Sequence, residues 1–168
     1  MASKTDICNL ALSWLAANLL TDFDTDSSKE GNYCRANYAI TRDSVLEDAA
    51  WTFSIKRAIL SPVVLPAGSY GYDNYFQIPP DCLSVLSCTR SGRELHDGSR
   101  LDWRVEGNKI GANESLVYIR YIGRVDDESL FSKSFIRAFA SRLAGDLAIP
   151  LTESKQLEQT MLQRYEMA

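Results

Sequence analysis

The chain has 168 residues, enough to build one core of ordinary size without disulfides or metals. Its hydrophobic and charged fractions, 45% and 24%, are those of a globular protein and exclude a disordered chain, a low-complexity polymer and a collagen. A net charge of -4 argues against a general nucleic-acid binder, and a single histidine, His96, argues against histidine-built zinc sites and leaves any Ser-His-Asp triad dependent on one residue.

The first element is a helix over about Thr5–Asn18. Ile7, Leu10, Ala11, Trp14 and Leu15 recur at helical spacing, and Ser3 or Thr5 can cap its start. Lys4 followed by this apolar run has the outline of a signal peptide, but Asp6, Asn9 and Asn18 interrupt it, and no stretch is long and apolar enough for a membrane span. After the loop Leu19–Asp26, Ser27 or Ser28 caps a second helix reaching about Ala50. Its inner face is predicted to carry Cys34, Tyr38, Thr41, Val45 and Ala49, with Arg35 and Arg42 among its solvated or interfacial residues.

From Trp51 the period changes. Trp51-Thr52-Phe53-Ser54-Ile55 alternates as a half-buried strand does. Further strands are predicted at Tyr75–Ile78, Leu83–Thr89, Leu101–Val105 and Lys109–Gly111, the last two flanking the turn Glu106-Gly107-Asn108. The strand Leu116–Ile122 sets Val117, Ile119 and Tyr121 on one face. Helix returns with Phe131, Phe135, Ala138, Phe139 and Leu143, ending before Pro150, and Thr152 caps a last helix through Leu157, Met161 and Tyr165. The expected fold class is therefore α+β: a four-helix, bundle-like part (1–50 and 126–168) with a small antiparallel β-sheet (51–125) inserted between helices 2 and 3. Acids outnumber bases by four in 1–50 and by two in 126–168, whereas 51–125 has two more bases than acids.

Candidate chemistry is sparse. Cys8, Cys34, Cys82 and Cys88 lack the C-x-x-C spacing of a redox or zinc site and read as buried free thiols made in a reducing cytoplasm. Asp22, Asp24 and Asp26 start like a calcium loop, but the glycine and glutamate such a loop needs are replaced by Ser27 and Tyr33. His96 lies in a polar segment without a nucleophile motif, so a solvated histidine is favoured over a general base. Basic residues interleaved with Trp103, Tyr118 and Tyr121 suit either a single-strand binding face or a protein interface. The run Gly68–Phe76 places Tyr70, Tyr72, Tyr75 and Phe76 beside glycines. These aromatics either anchor a partner or cover the edge of the sheet.

Several segments together resemble a known family. They are Ile7-Cys8-Asn9-Leu10-Ala11-Leu12, Ser28-Lys29-Glu30 with Cys34-Arg35, the junction Trp51-Thr52-Phe53, the step Ile78-Pro79-Pro80-Asp81-Cys82-Leu83, and Phe135–Ala140 with Pro150-Leu151-Thr152. Over nearly its whole length the chain is similar to the head–tail adaptor proteins of short-tailed bacteriophages, the tail tubular protein A family. The resemblance implies a structural virion protein, made in the host cytoplasm and built into the neck. It would form a homo-oligomeric ring, a dodecamer, under the portal protein, extend the DNA channel and carry the tail nozzle. Double-stranded DNA would pass without specific binding, which suits an acidic chain because negative walls repel phosphate. The residues expected at partner interfaces are Tyr70, Tyr72, Tyr75, Phe76, Arg93, His96 and Tyr165. The last helix is the candidate for portal contact, since similar proteins continue further at this end. No catalytic residue, cofactor, metal or membrane partner is expected. Two rival readings are a glycan hydrolase using a carboxylate pair and a single-stranded nucleic-acid binder acting through the basic sheet.

Overall fold

A computed structural model describes residues 2–64, 71–92 and 101–167. Among the described residues, four α-helices and seven strands give the α+β class, and these strands lie between the second and third helices in the chain. The fold consists of two compact units, one of residues 1–53 with 125–168 and one of residues 54–124.

In the helical unit, α1 spans Lys4–Trp14 and begins in a capping box. Ser3 Oγ accepts from the Asp6 amide while the Asp6 carboxylate accepts from the Ser3 amide. The helix stops earlier than its periodicity predicts. Ala16 turns left-handed (φ 53°), and the amides of Ala16 and Ala17 bond back to Ser13 and Leu12, capping the last turn. Its buried face is rotated from the expected one, with Cys8 and Leu12 fully buried and Leu10 and Trp14 only half-buried.

The loop to α2 (Lys29–Asp48) is closed by polar side chains. Asn9 both donates to and accepts from the Leu20 backbone, and Arg35 donates to the carbonyls of Phe23 and Asp26. Ser28 caps α2. Arg42, expected to be solvated or interfacial, is buried and paired with Asp43 and Asp126, while Ala49, expected inside, is exposed beyond the helix end. The guanidinium is buried because two carboxylates replace its water.

Trp51-Thr52-Phe53 is not a strand. Alternation set both rings on one side, but they serve an aromatic core. Trp51 meets Phe135 edge-on at 5.2 Å, and Phe53 meets Phe131 and Phe135 at 5.6 and 5.1 Å. The Trp51 indole also donates to the Val45 carbonyl of α2. A 3-10 turn at Glu128–Leu130 leads into α3 (Lys133–Thr152), which packs against α1, α2 and α4 (Lys155–Glu166). Pro150 does not end α3. It sits in the last turn, where the missing N–H forfeits one bond, and the helix closes at Glu153 in a left-handed conformation (φ 57°). Ser154, not Thr152, then caps α4.

In the sheet unit the strands are β1 (Ile55–Leu60), β2 (Pro62–Val63), β3 (Asn74–Gln77), β4 (Cys82–Thr89), β5 (Trp103–Glu106), β6 (Lys109–Ala112) and β7 (Val117–Gly123). They form two antiparallel sheets, ordered β1-β7-β4 and β2-β3-β6-β5. The register pairs Ile55 with Ile122 and Leu60 with Val117, and β4 meets β7 with two irregularities, one between Cys82 and Ser84 and one between Val85 and Ser87. Gly107 supplies the positive φ (61°) of the β5–β6 hairpin turn. One core serves both sheets, with Phe76, Ile110 and Ala112 from the second meeting Cys88, Val117, Ile119 and Tyr121 from the first. Val117, Ile119 and Tyr121, set on one face of β7 by its alternation, all belong to that core, and Ile122 of the other face is buried as well.

Candidate functional site

The Ile78–Leu83 step lies in the sheet unit, where β3 gives way to β4. Two prolines forbid ladder bonds there, and the chain turns on a bond from the Cys82 amide to the Pro79 carbonyl. The hairpin turn next to it completes the anchorage, since the Asn108 carbonyl accepts from the Ile78 amide at 3.1 Å and from Gln77 Nε2 at 3.0 Å. Asp81 is the pivot. Its carboxylate accepts from Lys56 Nζ at 2.7 Å and from the Tyr121 hydroxyl at 3.3 Å, and its carbonyl accepts from the Arg124 amide. Gly123 makes room for the Lys56 stem, since a Cβ there would stand 2.5 Å from Lys56 Cδ.

This framework borders an open groove of about 680 Å³. It is lined by Gln77–Pro80, by Cys82–Val85, and by Val105, Gly107 and Asn108 of the hairpin. Its walls are mainly apolar, and Val105 is 48% exposed. Cys82 is the one thiol in the lining. Burial, then the neighbouring Asp81 charge, pushes its pKa up to about 11, so it is a protonated and poorly nucleophilic thiol at neutral pH. The lining thus offers shape and apolar surface, which suit binding of a peptide segment more than bond-making.

None of the described residues expected at partner interfaces lines this groove. Tyr70, Arg93 and His96 lie outside the described residues. Phe76 is fully buried and Tyr75 nearly so, with its hydroxyl donating to Glu106, so both belong to the sheet core and not to a partner-facing surface. Tyr72 is half-buried. Its ring lies over the backbone of Gly111, where a Cβ would approach Cδ2 to 2.3 Å, and meets Tyr75 edge-on. Alternation along β3 could not decide this, because both of its faces are covered. Tyr165 is half-buried and donates to Asp48, which ties α4 to the end of α2. Burial and the Asp48 carboxylate raise its pKa. Tyr121 and Trp103, considered for a single-strand binding face, point into or pack against the sheet core.

The calcium-like acids are spent on their own loop. Asp22 accepts from the amides of Asp24 and Thr25, and Asp26 from the amides of Thr21 and Ser28. These bonds hold both carboxyls below their usual range, Asp26 at about 2. Among the described residues no group of three or more acids, cysteines or histidines is placed to hold a metal. The four cysteines are free, with Cys8, Cys34 and Cys88 buried. No helix among the described residues is long and apolar enough to cross a membrane. No protein-family model matches the chain, and no curated protein matches it in sequence.

Proposed function

We propose that the chain is a structural adaptor of the head–tail kind, a ring-forming neck protein that meets a portal on one side and a tail component on the other. The observation that carries this reading is the use made of the segments behind the resemblance. Trp51 and Phe53 lock the aromatic core of the helical unit, and the Ile78–Leu83 step builds the wall of an apolar groove in the sheet unit. These residues work as architecture and docking surface, as a structural protein requires. The separate cores give one chain two bodies that can carry different contacts. The helical unit has six more acids than bases, a balance that lets DNA pass a ring without being held.

The test is assembly. Purified protein mixed with portal rings of the same virus is expected to give a ring-shaped complex in electron micrographs. Saturating portal without any complex would overturn the reading. Substituting Val105→Glu in the groove wall is expected to leave that ring intact while weakening capture of the tail component.

A further inference from the structure

A second cavity, of about 340 Å³, is confined to the helical unit and lined by Ser134, Arg137, Ser141, Arg164 and Met167. Ser134, Arg137 and Ser141 are spaced three and four residues apart, so α3 presents them on one face. Arg164 comes from the last turn of α4, and Met167 follows that helix.

The polar groups of this cavity are unspent. In the helical unit, Arg35 donates to carbonyls and Asn32, Arg42 pairs with Asp43 and Asp126, and Arg142 pairs with Asp146. Arg137 and Arg164 have no carboxylate partner among the described residues, although acids outnumber bases in this unit by six. Arg164 is held over the Trp14 ring, with its guanidinium carbon 4.4 Å from the centroid, which fixes the fork without using its N–H groups. Ser141 is 1% exposed, and its hydroxyl has no hydrogen-bond partner among the described residues. Thr152 and Thr160 turn their hydroxyls back onto carbonyls of their own helices, as helical hydroxyls commonly do, but Ser141 does not.

Two guanidinium groups with no carboxylate partner among the described residues, together with the hydroxyls of Ser134 and Ser141, give this small open cavity a surface rich in donors and with no acid in its described lining. We infer that this cavity is a binding site for a phosphate-class oxyanion, either free or as the phosphate of a small ester. Planar guanidinium forks match such oxygens two at a time. Donors arriving from two helices suit a tetrahedral group better than a planar carboxylate. The volume lies at the small end of the range for ligand pockets, about 300–1,000 Å³. The inference does not depend on the adaptor reading.

The experiment titrates the full chain with inorganic phosphate at low ionic strength, against chloride at matched ionic strength. Calorimetry reports binding, and Trp14 emission reports the site because Arg164 lies on that ring. Saturable one-to-one binding is expected. Arg137→Gln and Arg164→Gln should each weaken it about tenfold, and Ser141→Ala more modestly. Lys133→Gln, which removes a charge of α3 outside the cavity, should bind as the parent does. Methyl phosphate and dimethyl phosphate separate the sources: a site for terminal phosphates takes only the first, and a site for diesters takes both. The inference fails if phosphate gives no saturable signal, or if Arg137→Gln binds no worse than Lys133→Gln. Arg137 is exposed, so its variant keeps the fold even if Ser141→Ala does not.

Discussion

Asp81 shows how much a single residue organises in the sheet unit, through its carboxylate and its backbone carbonyl. It gathers Lys56, Tyr121 and the Arg124 amide at the point where the chain leaves β3 for β4. The hydrogen bond from Lys56 holds its carboxyl below the usual carboxylate range. A depressed folded-state pKa contributes stability that is complete above the unfolded value of about 3.9 and lost as pH falls through the folded one. The ion pair is more than a third exposed, so the contribution is below about 1 kcal/mol. Urea unfolding should therefore find Asp81→Asn slightly less stable at neutral pH, with the gap to the parent closing under acid conditions. A gap that stays constant with pH would assign the loss to packing instead.

At the scale of elements, the caps carry the sharpest expectations. Residue Ala16 occupies the left-handed position that ends α1, where a Cβ is strained by about 1–2 kcal/mol. Ala16→Gly should raise stability by about 1 kcal/mol, a rise of roughly 2–4 °C in Tm for a chain of this size. The opposite holds at the start of α2. A Cβ on Gly31 would stand 2.6 Å from the Asp26 carbonyl oxygen, a backbone atom that Arg35 holds in place. Gly31→Ala should cost about 1–3 kcal/mol by forcing the loop off the helix. Thermal unfolding of the two single variants measures both signs. Ser28 was legible as a cap, because small polar residues before a helical run can satisfy free amides. The need for Gly31 was not, since it arises from a carbonyl five residues earlier in the chain.

The whole molecule has two cores. Phe135, Phe139, Leu143 and Leu147 anchor one, and Phe76, Ile110 and Ile119 the other. Each core is expected to open as its own cooperative unit in native-state hydrogen exchange. Arg42→Ala, which leaves Asp43 and Asp126 facing a vacated buried position, should lower protection across the helical unit by about 2 kcal/mol. Asp81→Asn should lower it only in the sheet unit. Both variants reducing both sets equally would show a single cooperative body.

Local sequence determined the class of this protein and the order of its elements. Helical and alternating periods, proline and glycine punctuation and serine caps act over a few residues, and all can be read from neighbours in the chain. The shared face of Val117, Ile119 and Tyr121 on β7 and the hairpin at Gly107 were legible for that reason. Only the tertiary structure decided what distant residues share. Trp51 and Phe53 alternate like a strand but join Phe131 and Phe135 in an aromatic core. Arg42 is buried because Asp126, far along the chain, meets it. Tyr75 and Phe76, which have the composition of a partner anchor, are consumed by a core that two sheets close between them. The groove beside Ile78–Leu83 and the cavity around Arg137 and Arg164 are likewise products of packing. Each draws its lining from separate elements, and no local pattern encodes a shape made by surfaces that meet only when the chain folds.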